Sequence, residues 1–341
     1  MRSSDRLNQS ESFMQTAGNS QTPCRPSHPL HAIKIAPGAF EALRAGSGWR
    51  VLSSHAHACN YVDSTGRLFS LVNGRARMGP FSLEVESIPH ETILGGRSNA
   101  DPLILESESA LVIGGRSIDL TLAARWNPRP EWRALPAIPW QGRFLSLIIA
   151  TLRACAPPES LACVVAPLSV QRSTSDDPRT RLRELQLSAA AKACLRLSRT
   201  LASGDEYEVS LASGALAGLG PGLTPSGDDF LIGAMYGLWS SLPTPKAKAL
   251  TEAICTSSIG RTNRVSAAWL AAAAKGQAIE AWHDLVDALR AEDEELVTRV
   301  CRQLINLGHT SGADALAGFV MVHITPIHWR SQVSQVNQSL V

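Results

Sequence analysis

GLGPGLTPSGDDFLIG occupies residues 218–233, and its last eight residues return in altered form as SGADALAG at 311–318. Both octapeptides fit the pattern S-G-x-D-x-L-x-G. Each opens an apolar run, and each follows a polar turn, GLGPGLTP in one case and INLGHT in the other. Ser and Gly followed by Asp at this spacing are helix-start residues, because short polar side chains satisfy the free N–H groups of a first turn. Gly218, Gly220, Gly222 and Pro221 cannot sit inside a helix or a central strand, so 218–222 is expected to be a tight loop. Thr224 and Pro225 suit the cap and first helical position. Asp228 and Asp229 fall in the first turn, where the helix dipole favours negative charge. Gly233 lies one turn beyond Asp229 on the same face, and its missing side chain admits a close neighbour. In the second copy Thr310 or Ser311 caps, Asp314 sits one turn in, Gly318 follows on its face, and His309 stands just upstream. The chain is therefore expected to bring two similar helix N-termini together at one site, and such termini commonly hold anions and polar groups.

Working outward from this repeat, the chain beyond Trp140 reads as helix. QGRFLSLIIATLRA, DPRTRLRELQLSAAAKACLRLSRTLA, Val265–Gly276, AIEAWHDLVDALR and EDEELVTRVCRQLINLG carry Ala, Leu and Arg at helical spacing. Gly308 closes the last of these where a helix C-cap is expected. Residues 48–126 read instead as strands: VLSSHAHACNYV alternates loosely, DSTG makes a turn, and RLFSLV is a short β run. Asn73–Gly74 is a hairpin candidate, FSLEVES resumes the alternation, and ILGGRS (93–98) and VIGGRS (112–117) look like strand ends with Gly-Gly turns. The expected class is α+β, a small antiparallel β-rich N-terminal domain followed by a mostly α-helical C-terminal domain. Its parts are a disordered tail at 1–30, a β-rich domain at 45–126, a Pro-rich linker at 127–140, a helical domain at 141–326 and a tail at 327–341.

Composition narrows the function. Hydrophobic residues at 44% and charged residues at 18% are ordinary for a soluble globular chain. A formal charge of +2 without a basic stripe gives no nucleic-acid footprint. The seven cysteines are scattered without a C-x-x-C pair, which reads as reduced thiols. The N-terminus lacks an apolar secretory core, and Phe144 to Leu152 is too short to span a bilayer. The expected location is the cytoplasm, with no membrane partner.

Two constellations offer chemistry, the paired motif copies and residues 260–266. Between the two motif copies, backbone N–H groups would hold a phosphate or carboxylate. Alternatively, Asp228, Asp229 and Asp314 would bind Mg²⁺, whose preference is for hard oxygen ligands. Residues 260–266, GRTNRVS, start another helix with Thr262 or Asn263 as its cap, flanked by Arg261 and Arg264, whose paired donors suit planar anions. His55 and His57 would share one strand face, and the GGRS turns would offer Arg97 and Arg116, but hairpins commonly display such residues. No G-x-S-x-G elbow, Walker loop or H-E-x-x-H occurs.

GLGPGLTPSGDDFLIG, TNRVSAAWLAAAAKGQ and GHTSGADALAGF together resemble the AllH-type family, a subunit of oxamate carbamoyltransferase in bacterial allantoin breakdown, a branch of purine catabolism. The strand with Asn60-Tyr61-Val62, GRLFSLV and the Gly-Pro at 79–80 add to the likeness. Asn263 stands where the resemblance would have a second threonine. The resemblance implies phosphorolysis of oxalurate to oxamate and carbamoyl phosphate by a hetero-oligomer of different transferase subunits, with no redox cofactor. On that reading the Ser226–Gly227 and Ser311–Gly312 amides cradle phosphate and a developing oxyanion, and Gly222, Thr224, Thr262 and Asn263 line the site. Arg264 meets a carboxylate, and Asp229 or His309, beside Asp228 and Asp314, handles the proton of the departing nitrogen. Two other readings stay open. One is a non-catalytic assembly subunit whose SGxD helices pack on partners, and the other is a metal-dependent amide or ureido hydrolase.

Overall fold

The two motif copies form the central pair of helices in a computed structural model that describes residues 30–88, 103–137, 142–166 and 177–326. Strands fill the first part and helices the rest, so the chain is α+β.

Among the described residues nine strands curl into one sheet in the order β2-β3-β4-β5-β1-β8-β7-β6, with β9 paired to β1. They are β1 (Leu30–Ile35), β2 (Arg50–His55), β3 (Ala58–Val62), β4 (Leu68–Asn73), β5 (Ser82–Val85), β6 (Ile104–Ser107), β7 (Ala110–Ile113), β8 (Arg116–Asp119) and β9 (Ala124–Arg125). Helix α1 (Pro37–Ala45) starts with proline in its first turn and lays Ala39, Ala42 and Leu43 on the sheet. The sheet thus begins at Leu30, inside what reads as a tail and ahead of position 45. Its core is Tyr61, Phe69, Leu71, Leu83, Val85, Leu111 and Ile118.

Three local readings change. VLSSHAHACNYV is not one strand but the hairpin β2–β3, with His55 paired to Ala58, so His55 ends β2 and His57 lies in the turn. Asn73–Gly74 does not close a hairpin. β4 and β5 run parallel, so residues 74–81 form a crossover, and Asn73 accepts from the Arg75 N–H instead. The Gly114–Gly115 turn of β7–β8 does hold both glycines at positive φ, +58° and +73°, as a tight hairpin requires. The ILGGRS turn with Arg97 lies outside the described residues.

The helical part comprises α2 (Arg143–Cys155), α3 (Pro178–Ser203), α4 (Glu206–Leu216), α5 (Ser226–Ser241), α6 (Thr244–Ser258), α7 (Arg264–Ala274), α8 (Glu280–Arg290), α9 (Glu294–Ile305) and α10 (Ser311–Ile324). α5 is buried from Ser226 to Ser240 and α10 from Gly312 to His323, so each is enclosed on all sides. The amphipathic α8 and α9 cover them, with Leu285, Leu289, Val300 and Leu304 inward. The stretch 127–140 is not a bare tether. It contains a 3-10 helix, Trp132–Ala137, whose Trp132 stacks on Tyr236 at 5.2 Å and whose Leu135 is fully buried. Among the described residues no helix is long and apolar enough to cross a membrane.

Sheet and helices meet along several contacts. Ala278 N–H donates to Pro128 O at 2.7 Å and Glu280 N–H to Met78 O at 2.9 Å. Arg77 pairs with Asp284, and Phe81 packs edge-on against Trp269 at 5.2 Å.

Candidate functional site

The site grows from how α5 and α10 cross. A Cβ on Gly233 would stand 1.7 Å from Ala315 O, and one on Gly318 would stand 2.0 Å from Phe230 O. These contacts are reciprocal, since Gly233 and Gly318 are equivalent in the motif and so are Phe230 and Ala315. The other motif glycine does the same work toward the preceding helix, with Gly227 against Leu216 O at 2.2 Å and Gly312 against Leu304 O at 1.7 Å. All four glycines are therefore spent on close packing within the chain. A reading in which they pack the SGxD helices against partner subunits loses its devices.

The crossing carries the two helix starts together. Thr224 and Ser311 hydroxyls lie 2.9 Å apart, and those of Ser226 and Thr310 lie 3.4 Å apart. Asp229 takes hydrogen bonds from Ser311 and Thr224, and Asp314 from Ser226 and Thr310, so each aspartate is served by the serine of the other copy. Asp314 Oδ1 also accepts from Leu161 N–H at 2.6 Å and thereby caps the 3-10 helix Leu161–Val164. The Oδ2 atoms of Asp229 and Asp314 have no hydrogen-bond partner and are sealed from solvent. Burial pushes the Asp229 carboxyl well above the ordinary carboxylate range, against the Ser311 and Thr224 hydroxyls and with the charges of Asp314 and Asp228 adding to it. Burial likewise raises Asp314 to about 6, opposed by the Leu161 N–H and the two hydroxyls, and assisted by Glu159.

Asp228 plays another part. It is fully buried, its Oδ1 accepts from Gly218 N–H at 2.8 Å, and its Oδ2 accepts from the Thr262 hydroxyl. It ties the glycine loop to the start of α7. Gly218, Gly220 and Gly222 adopt φ of +74°, +116° and +101°, so the loop has the tight left-handed turns expected of it. Each oxygen of Asp228 thus carries a hydrogen bond from within the chain. Among the described residues no group of three or more His, Cys, Asp or Glu is arranged to hold a metal ion.

The remaining candidates divide. Pro225, not Thr224, is the N-cap residue of α5, because the Thr224 hydroxyl is engaged with Ser311. Gly227 N–H already donates to Leu219 O at 2.8 Å and Gly312 N–H to Leu307 O at 3.0 Å, so these two amides are not free to cradle an anion. Gly222 faces open space at the mouth. Asn263 caps α7 through Val265 N–H and Ser266 N–H and donates to Leu223 O at 2.8 Å. Arg264 turns from the mouth and donates to Ser64 O at 2.7 Å. His309 is exposed and pairs with Glu159 at 2.6 Å, on the outer side of the Asp314 start. Leu161 and Ser64 escape a sequence reading because their partners are distant in the chain and no local pattern marks them.

No solved structure matches the chain. Residues 216–323, from the end of α4 through both motif copies into α10, match the family model described as oxamate carbamoyltransferase subunit AllH, so over that segment the chain is similar to an AllH-type family.

Proposed function

We propose that this chain is a subunit of a carbamoyltransferase that splits a ureido acid such as oxalurate with phosphate, and that the chemistry takes place at the mouth between α5 and α10. The observation that carries the reading is Asp229, a buried acid with an unpartnered oxygen where two helix starts converge. Structural roles account for Asp228 and for the motif glycines, but capping and packing leave the Oδ2 atoms of Asp229 and Asp314 unused.

In this reaction a phosphate oxygen bonds to the carbamoyl carbon while the bond from that carbon to the oxamate nitrogen breaks. The nitrogen leaves as a poor anion unless it receives a proton. An un-ionised Asp229 supplies that proton, and the proton of hydrogen phosphate restores the carboxyl, so charge balances and the protein is unchanged. Asp314 holds the acid form in place through its own negative field. The Thr224, Ser226, Thr310 and Ser311 hydroxyls donate to the two carboxyl groups and hold them in position. The Ser226 and Ser311 amides at the two helix starts add their positive ends.

The test measures carbamoyl phosphate released from oxalurate and phosphate, with the partner transferase subunits supplied. Asp229→Asn is nearly isosteric with the un-ionised acid and is expected to keep fold and assembly while lowering turnover by about 100-fold or more, the scale of a lost general acid. Unchanged turnover in a folded, assembled Asp229→Asn protein removes the proposal.

A further inference from the structure

Arg264 lies at the start of α7, beside residues that grip the glycine loop, yet its guanidinium points to the sheet. Three consecutive residues divide the work. The Thr262 hydroxyl donates to Asp228 Oδ2, whose other oxygen holds Gly218 N–H. Asn263 donates to Leu223 O at 2.8 Å, at the far end of the same loop. Arg264 donates through Nη1 to Ser64 O at 2.7 Å, and its stem lies across Gly66, where a Cβ would come within 2.8 Å of Arg264 Cδ. Behind this run, Arg261 O sits so close to Gly218 that a Cβ there would approach to 2.5 Å.

The turn that receives Arg264 is stiff. Asp63 is buried, and its carboxylate accepts from Thr65 N–H at 2.8 Å, Thr65 Oγ1 at 2.8 Å, Arg67 N–H at 2.7 Å and Arg67 Nη1 at 3.0 Å. Gly66 at φ +96° is the turn residue that leaves room for the arginine stem. The glycine loop has no such internal frame. Among its own contacts it holds Leu219 N–H on Leu216 O at 3.2 Å and Gly227 N–H on Leu219 O at 2.8 Å, and it otherwise leans on Asp228 and on residues 261–266, where Ser266 Oγ joins Asn263 on Leu223 O at 3.4 Å.

We infer that Arg264 is a positioning residue, which fixes the glycine loop at 218–223 by anchoring the start of α7 to the 63–67 turn of the sheet. The sheet thereby becomes part of the site without touching substrate. The loop's importance to turnover rests on the function proposed above, whereas the anchoring itself does not. Coupling between distant segments needs a two-site test rather than proximity.

The experiment is amide hydrogen exchange on the full-length chain, which reads the loop directly and needs no turnover, so failure of the phosphorolysis reading leaves it interpretable. The reporters are the Gly218, Leu219 and Gly227 amides. Arg264→Ala is expected to raise their exchange by about tenfold, a local opening that leaves both hydrophobic cores protected. Arg264→Lys, which keeps the stem over Gly66 and an N–H donor, should restore most of the protection. Asp63→Asn should raise exchange by a smaller factor, and combining it with Arg264→Ala should add nothing, because both act through one contact. The inference is overturned if Arg264→Ala loosens only turn 63–67, if exchange rises uniformly over the chain, or if the two substitutions add in full.

Discussion

Gly318→Ala tests the crossing on which the whole site depends. The added Cβ would stand 2.0 Å from Phe230 O and 2.8 Å from Ala234 N. An ordinary carbon–oxygen contact needs more than an ångström beyond the first of these distances, and the obstacle is backbone, which cannot rotate aside. α5 and α10 must therefore separate. Overpacking of a dense core costs typically 1–3 kcal/mol, and this contact belongs at about 3. Alanine returns about 1 kcal/mol of helix propensity. The net loss is then about 2 kcal/mol, or roughly 4–8 °C in Tm for a helical unit of this size. Gly233→Ala, with its Cβ 1.7 Å from Ala315 O, should cost at least as much. The double substitution should cost less than the sum, since one separation relieves both clashes. Gly260→Ala, which meets nothing within 4 Å, is the control and should stay within about 0.5 kcal/mol of wild type. Thermal denaturation of the four proteins checks this. A Gly318→Ala protein as stable as the control would refute the claim that the motif glycines exist for close packing.

Other consequences can be measured alongside. The Asp314 carboxyl is raised from 3.8 to about 6, so between these values the folded chain keeps a proton that the unfolded chain has released. Its contribution to stability is therefore full below about pH 4 and is lost as pH rises to about 6. The gap between wild type and Asp314→Asn in urea midpoint should change across that window, and a constant gap would contradict the buried acid. Thr262→Val strips Asp228 Oδ2 of its donor in a buried place and should cost about 1–3 kcal/mol by denaturant titration. Trp132→Ala should cost about 3–5 kcal/mol, because Trp132 is 3% exposed and stacks on Tyr236. A cost near zero would return residues 127–140 to the role of a passive tether.

Local chemistry made much of this molecule legible. The helix starts near Ser226 and Ser311, a cap at Thr262 or Asn263 and the left-handed turns at Gly218, Gly220 and Gly222 follow from what those residues do to their own backbone. The Asp229 and Asp314 pairing was foreshadowed by repetition of one pattern, because like helix starts with like glycines pack alike. What escaped the sequence was everything set by distant partners. Arg264 looks like an anion ligand until Ser64 O is seen beneath it, and the same holds for the Gly227 and Gly312 amides once Leu219 and Leu307 are in place. The parallel pairing of β4 with β5 is invisible for the same reason, since Asn73–Gly74 has all the local marks of a hairpin. Trp132 sits in a proline-rich stretch whose composition says nothing of the aromatic cluster that receives it.

The reciprocal contacts of α5 and α10 have the form of an isologous interface, in which residue i of one copy meets residue j of the other and j meets i. Gly233 with Ala315 mirrors Gly318 with Phe230, and Ser311 with Asp229 mirrors Ser226 with Asp314. Two separate chains could have made that contact before one chain did, and a duplicated half would dimerise by the same surface. The symmetry stops outside the crossing, where one copy has Asp228 and a glycine loop and the other has Ala313 and His309. Packing preserved the axis while the sequence around it diverged, so the proposed site would present two unlike walls over a floor of matched halves.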